Sequence, residues 1–169
     1  MHAHVVKTGR FGPTLRIAQL QNGDTDTVAA LFARLGERSR RMRFLGPKPC
    51  LSLTELAAFA AEDSSRHAVV AYVDGDPLPA GIARLVRDGD SAEIAFVVAD
   101  AHQGKHVGTT LFKELLADAR AAGIGSVTAT IDSSNRAALA LIRRCTQILS
   151  IRAEGGSLSI RAAIRAAIR

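Results

Sequence analysis

A strand that runs through a glycine-bearing turn straight into a long amphipathic helix leaves a chain few folds to choose from, and residues 92–122 have that form. Ala92 to Val98 reads as a strand. Gln103-Gly104-Lys105-His106-Val107-Gly108-Thr109 reads as the turn and the start of the helix. Val107, Leu111, Leu115, Ala119 and Ala122 then fall on one helical stripe, with Phe112 and Leu116 beside it. The first N–H groups of such a helix lack intrahelical partners, and the helix dipole adds partial positive charge. Glycine at 104 and 108 lets a phosphate come close to the main chain. Lys105 contributes a full positive charge. An ordinary strand-to-helix connection is the competing account of the same residues.

Other phosphate-binding loops do not fit. A Walker loop needs Gly, four residues, Gly, Lys and then Ser or Thr, and the dinucleotide pattern G-x-G-x-x-G is also missing. No segment has the spacings of a kinase or a serine hydrolase. The chain has 169 residues and reads as one domain with a core large enough to need neither disulfide nor metal. No apolar run approaches the roughly 18 residues of a membrane span. Met1 to Pro13 carries His2, His4, Lys7 and Arg10 but no signal-peptide core, so a cytoplasmic protein is expected. The two cysteines, Cys50 and Cys145, lack the paired spacing of a zinc site and should be reduced thiols.

A formal charge of +6 and a pI near 10.1 favour acidic ligands, among them a polyphosphate. Nucleic acid is a poorer match: the chain has one tyrosine, no tryptophan and no interleaving of aromatic with basic residues. His102 and His106 are four apart without an evident third ligand, so no metal is assigned.

Leu15 to Leu20 reads as a first strand, closed by Asn22-Gly23-Asp24. Val28, Leu31, Phe32 and Leu35 recur at helical spacing, with Gly36 as the expected stop. Ser39 to Pro49 reads as a loop, and Ser52-Leu53-Thr54-Glu55 as a capping box opening a short helix. His67–Val73, Pro79–Val86 and Ala92–Val98 are strands separated by Asp-Gly turns, which predict antiparallel hairpins. After the long helix come a strand over Ser126–Ile131, a helix capped by Ser134 or Asn135 and running to Arg144, and strands over Ile148–Ala153 and Leu158–Arg161. Ile160, Ile164 and Ile168 repeat every four residues with an arginine after each. The tail therefore reads as a closing strand, a basic amphipathic helix or a disordered end.

The order of these elements, together with Gln103, Gly104 and Gly108, resembles the acyl-CoA site of the GNAT N-acetyltransferase superfamily. The family signature is Gln or Arg, two residues, Gly, one residue, then Gly or Ala. His106 stands where the family usually has its middle glycine, and a non-glycine residue there is expected to keep negative φ. The resemblance spans roughly Leu15 to Ala153. It implies an α/β (α+β) fold with a mixed, mostly antiparallel sheet of six to seven strands and about four helices. The implied organisation is a flexible segment over 1–13, one acetyltransferase domain over 14–161 and a basic tail over 162–169.

The resemblance also implies the chemistry: acetyl-CoA as acyl donor, no metal, and an amine acceptor, either a protein lysine or a small molecule. A homodimer is compatible with it; nucleic acid and membrane are not implied partners. Residues Gln103, Gly104, Lys105, His106, Val107, Gly108 and Thr109 would hold the pyrophosphate. The main chain of Phe96, Val97 and Val98 would meet the pantetheine arm and the thioester. Asn135 matches a family Asn that contacts the cofactor, and a plain N-cap explains it equally well.

A lysine amine, with a pKa of about 10.4, needs a base at neutral pH. Glu93 is the candidate, one carboxylate in an apolar strand, on the face of Ala95 and Val97 and opposite Ile94, Phe96 and Val98. Burial there is expected to raise its pKa; a glutamate pointing at water is the alternative. Many members carry a tyrosine on the last helix as general acid. Here that stretch is Leu141-Ile142-Arg143-Arg144-Cys145, and Tyr72 lies in a strand, so solvent or Cys145 must protonate the leaving thiolate. Arg38, Arg40, Arg41, Arg43 and Lys48 border the expected acceptor channel, either as a rim for an acidic acceptor or as a solvated charge run. Two further readings stay open: a non-catalytic acyl-CoA sensor on the same fold, and a basic nucleic-acid-binding module.

Overall fold

Glycines at positive φ set the hairpins. Gly75 (φ 82°), Gly89 (φ 60°), and the Gly155-Gly156 pair (φ 55° and 84°) turn the chain where a side chain would be strained. The computed structural model describes residues 3–8 and 12–165. Among them are eight strands: β1 (Ala3–Lys7), β2 (Thr14–Gln19), β3 (Arg66–Val73), β4 (Pro79–Asp88), β5 (Ser91–Val98), β6 (Ser126–Asp132), β7 (Thr146–Glu154) and β8 (Ser157–Ile164). Five α-helices accompany them: α1 (Thr25–Ala33), α2 (Glu37–Phe44), α3 (Leu53–Ala60), α4 (Val107–Ala121) and α5 (Arg136–Cys145). A single 3-10 turn, Asp100–His102, precedes α4.

The strands form one sheet in the order β1-β2-β3-β4-β5-β6-β8-β7. Every neighbouring pair is antiparallel except β5 and β6, which run parallel because α4 carries the chain from the end of one back to the start of the other. This is the mixed, mostly antiparallel architecture expected from sequence, with eight strands rather than six or seven and five α-helices rather than four.

Three differences have identifiable causes. Residues 3–7, expected to be a flexible end, pair with Thr14–Ala18 as β1. Ser39–Pro49, expected to be a loop, carries most of α2; Gly36, expected to stop the preceding helix, is the α2 N-cap. The Gly36 N–H donates to Asp100 Oδ2 at 3.1 Å, so a distant aspartate supplies the cap that a local side chain usually would. At the other end β8 continues past Arg161 to Ile164, as a strand. Ile168, Arg169 and His2 lie outside the described residues.

Local chemistry elsewhere follows the sequence. Asp24 caps α1 by accepting from Thr27 N at 3.0 Å, and Ser52 and Glu55 form the expected capping box on α3. Strand alternation then divides the interior in two. Val69 and Ala71 face a large core that contains Leu111, Phe112, Leu115 and Ile142. Ala68 and Val70 face a smaller one under α1 and α3. Phe112 is fully buried and meets Phe96 with ring centroids 5.2 Å apart. Burial on both faces explains why β4 reads as a nearly continuous apolar run.

Candidate functional site

The sheet comes apart next to Glu93. β5 pairs with β4 along its whole length, from Ser91↔Asp88 to Val98↔Gly81. β6 pairs with β8 from Ser126↔Ala163 to Asp132↔Ser157. Between them β5 and β6 share only three rungs, Ser91↔Ser126, Ala92↔Val127 and Glu93↔Thr128. Each strand keeps its antiparallel partner, so the two halves of the sheet diverge beyond Glu93. One edge of Ile94–Val98 is left without a strand partner. A wedge with an unpaired strand edge on one wall can take an extended ligand through main-chain hydrogen bonds.

The glycine loop lies past the end of that strand. Gly104 has φ 72°, and a Cβ added to it would meet nothing within 4 Å. His106 also has positive φ, 64°, against the negative value expected for a non-glycine residue. It is the α4 N-cap and makes no side-chain capping bond, and among the described residues no other side chain accepts from the first N–H groups of α4. The histidine is tolerated because its carbonyl is anchored, accepting from Thr110 N at 3.0 Å and from Thr110 Oγ1 at 3.1 Å. Left-handed backbone at a residue with a Cβ costs roughly 1–2 kcal/mol. Lys105 and His106 are both exposed.

Gly108 has a packing role: a Cβ there would stand 3.3 Å from Val98 Cγ2 and 3.9 Å from Leu141 Cδ2. The missing side chain lets α4 lie close against the end of β5. Gln103 anchors the loop, its Nε2 donating to Val98 O at 3.1 Å and to Ser39 Oγ at 3.0 Å. The Val98 carbonyl is therefore already engaged. Thr109 Oγ1 accepts from Arg144 at 2.8 Å, tying α4 to α5. Asn135 caps α5, its Oδ1 accepting from Ala138 N at 3.1 Å, which leaves its amide NH2 free to donate. Val107 is buried in the core, whereas Phe96, Val97 and Val98 are half-buried along the wedge.

Glu93 is exposed, so the enclosure expected from its apolar neighbours is not provided by the protein. Its companions on the same face, Ala95 and Val97, line a cleft under α1, α2 and α3 with about 440 Å³ of empty space, part of it open to solvent. Two guanidinium groups also line the cleft, from Arg43 and Arg84. Burial first, and then Arg84, push the Arg43 pKa down to about 10, while Glu93 opposes the shift. Arg84 is 8 % exposed and donates to Ala58 O at 3.1 Å. Burial lowers its pKa too, opposed by Glu62.

Of the basic residues noted in the sequence, Arg43 alone lines this cleft; Arg40 lies over the Phe32 ring and donates to Pro49 O. Arg84 and Asp100 were missed. A lone arginine within the apolar run Pro79–Val86 was the available signal for the first; no local signal marks the second, which acts across 64 residues. Tyr72 lies on β3 under Arg16, at 4.1 Å from ring centroid to Cζ, and Cys145 packs partly buried against the large core. His102, to which no metal is assigned, faces Arg34 and Asp76 at 3.0 and 3.1 Å. Among the described residues no cluster of three His, Cys, Asp or Glu side chains is placed to hold a metal.

Comparison with known proteins matches this arrangement to a described family. The model of the acetyltransferase (GNAT) family matches residues 34–146. No curated protein matches the chain by sequence. Among solved structures, the GNAT domain of S. lividans PAT is similar with a TM-score of 0.84 at 24% identity, covering 96% of this chain and 97% of that one. A cAMP-binding acyltransferase from Mycobacterium smegmatis is similar over 98% of this chain but only 48% of its own, with a TM-score of 0.66 at 20% identity. The yncA protein of Salmonella typhimurium, solved with its cofactor acetyl-CoA, has a TM-score of 0.68 at 18% identity over 89% of this chain and 93% of that one. At these identities the likeness is one of fold.

Proposed function

The chain belongs to the GNAT acetyltransferase family, and from that premise we propose that it moves an acetyl group from acetyl-CoA directly to an amine, with Glu93 as the general base. The observation that carries this reading is the wedge, which opens immediately beyond the Glu93↔Thr128 rung and faces an α4 N-terminus that no side chain caps. The residues present fit the donor. Open backbone at Gly104 and uncovered N–H groups at Val107, Gly108 and Thr109 suit a pyrophosphate, with Lys105 and His106 beside them. The unpaired edge of β5 at Phe96 and Val97 offers main-chain groups to a pantetheine arm, and the Asn135 amide has donors to spare.

Bound, the donor supplies an acetyl thioester: the amine nitrogen bonds to its carbonyl carbon and the carbon–sulfur bond breaks. Glu93 takes the proton that the amine must lose, directly or through one water, and bound ligands supply the enclosure the free protein lacks. With Tyr72 on another strand, the thiolate takes its proton from solvent.

Thermal unfolding with acetyl-CoA, free nucleotide and a short nucleic acid tests the donor site. Acetyl-CoA at about 100 times its Kd adds about 2.7 kcal/mol, or roughly 5–10 °C at this length, and the controls add little. Glu93→Gln then keeps that shift and loses about 100-fold in kcat on an amine acceptor. A shift without turnover on any amine marks an acyl-CoA sensor; a shift with nucleic acid alone overturns the transferase reading.

A further inference from the structure

The cleft beneath α1–α3 says more about the acceptor than family membership does. Its walls are apolar and aromatic, with Leu31, Ile82, Phe44 and Phe59 among them, and its floor is the Ala95–Val97 stretch of β5. Into this lining project two cations. Arg43 lies with its Cζ 5.2 Å from the Phe44 ring centroid and 5.7 Å from that of Phe59; Arg84 lies 5.6 Å from Phe59. Arginine can rest against aromatic rings in this way and keep its N–H fork free for a planar anion. Among the described residues the Arg43 side chain makes neither a hydrogen bond nor a salt bridge, and Glu93 is the opposing charge that it feels. Arg84 spends one N–H group on Ala58 O, and Glu62 opposes the lowering of its pKa.

A guanidinium held among apolar walls is costly, and here a second cation increases the cost while Glu93 offsets part of it. The arrangement is stabilised when an anion enters. The only carboxylate of β5, Glu93, is the proposed base and must remain free for a proton. We propose, resting on the transferase reading above, that the acceptor is a small amine carrying a carboxylate and an apolar body: the carboxylate meets Arg43 with Arg84 behind it, the body lies between Phe44 and Phe59, and the amine reaches the Glu93 end of β5. An apolar α-amino acid has this composition. A lysine side chain in a protein brings no anion to the cleft and leaves Arg43 unpaired.

The test pairs methionine with methioninamide, and phenylalanine with phenylalaninamide, as acceptors, with a terminally capped lysine peptide free of carboxylates as a third arm. The amides carry less basic amines, more of which are deprotonated at neutral pH, so a preference for the acids comes from the site. In the native protein kcat/KM for the acids exceeds that for the amides at least 10-fold, and Arg43→Gln abolishes the preference while leaving the acetyl-CoA thermal shift unchanged. A second readout needs no turnover: N-acetylmethionine raises the unfolding temperature, N-acetylmethioninamide does not, and the difference disappears in Arg43→Gln. Equal turnover of acids and amides, or a faster peptide, overturns this inference and leaves the transferase standing. Selective stabilisation by N-acetylmethionine with no turnover of any amine supports the anion site and overturns the transferase. Absence of both effects overturns the inference.

Discussion

On one face of the sheet α4 and α5 close a continuous core in which Leu111, Phe112 and Leu115 are fully buried. On the other face three short helices, of eight or nine residues each, leave a cleft with two arginines in it. The first face carries the loop and helix end that suit a constant ligand, the second the surface on which selectivity would be set. α2 has no buried residue at all. It is held by Asp100 and Gln103 at one end and, at the other, by Phe44, whose ring lies 5.9 Å from both Phe32 and Phe59. The difference teaches that rigidity and adaptability are divided between the two sides of a single sheet. The bonds to α2 also join them, because Asp100 and Gln103 belong to the segment leading into α4.

Removing a ring from each face breaks or sustains this comparison most directly. Phe112→Ala should cost about 3–5 kcal/mol in chemical denaturation, the usual loss for a fully buried phenylalanine, whereas Phe59→Ala, partly exposed at the cleft, should cost about half as much. Equal losses would show that the α1–α3 face is as tightly packed as the other.

A pH series sharpens it further at the join between β3 and α4. His67 donates toward Asp118 at 2.8 Å with Glu62 at 3.5 Å, and these carboxylates, Asp118 first, raise its pKa from 6.5 to about 9. The folded state then binds the proton more tightly than the unfolded one. The resulting stability, on the order of 2 kcal/mol, is present below pH 6.5 and is lost as pH rises through about 9. His67→Gln should flatten unfolding temperature against pH in that window; an unchanged slope would assign it to other groups.

The smallest effect is expected at the loop itself. His106→Gly relieves left-handed strain and should add about 1 kcal/mol, a gain of roughly 2–4 °C. A loss instead would mean that the side chain contributes more than its backbone costs.

Features carried by neighbouring residues were legible in the sequence. The stripe of α4, the capping box at Ser52, the Asp24 cap and the Asp-Gly hairpins all depend on contacts a few residues apart. Alternation along β5 also placed Glu93 with Ala95 and Val97 correctly. The sequence missed what depends on distant partners. α2 looks like a charged loop because its cap comes from Asp100, and β1 looks like a loose end because its support comes from the ladder to β2 and from contacts of His4 and Val6 with distant elements. Whether Glu93 is enclosed depends on where β5 and β6 part, and each strand follows another partner. Periodicity cannot show that choice. The left-handed backbone of His106 was hidden because the same residue suits an ordinary loop position.

The three-rung seam between β5 and β6 has a consequence for how such a molecule can be retuned. Two plates joined along so short a line take their mutual angle from whatever fills the space behind them, and here that filling includes Gly108 and Leu141, which meet beneath the end of β5. A change of one methyl group at Leu141 alters the width of the opening without altering any residue placed in the site. The width of the opening can therefore be retuned from behind the sheet, through a residue of the packed core.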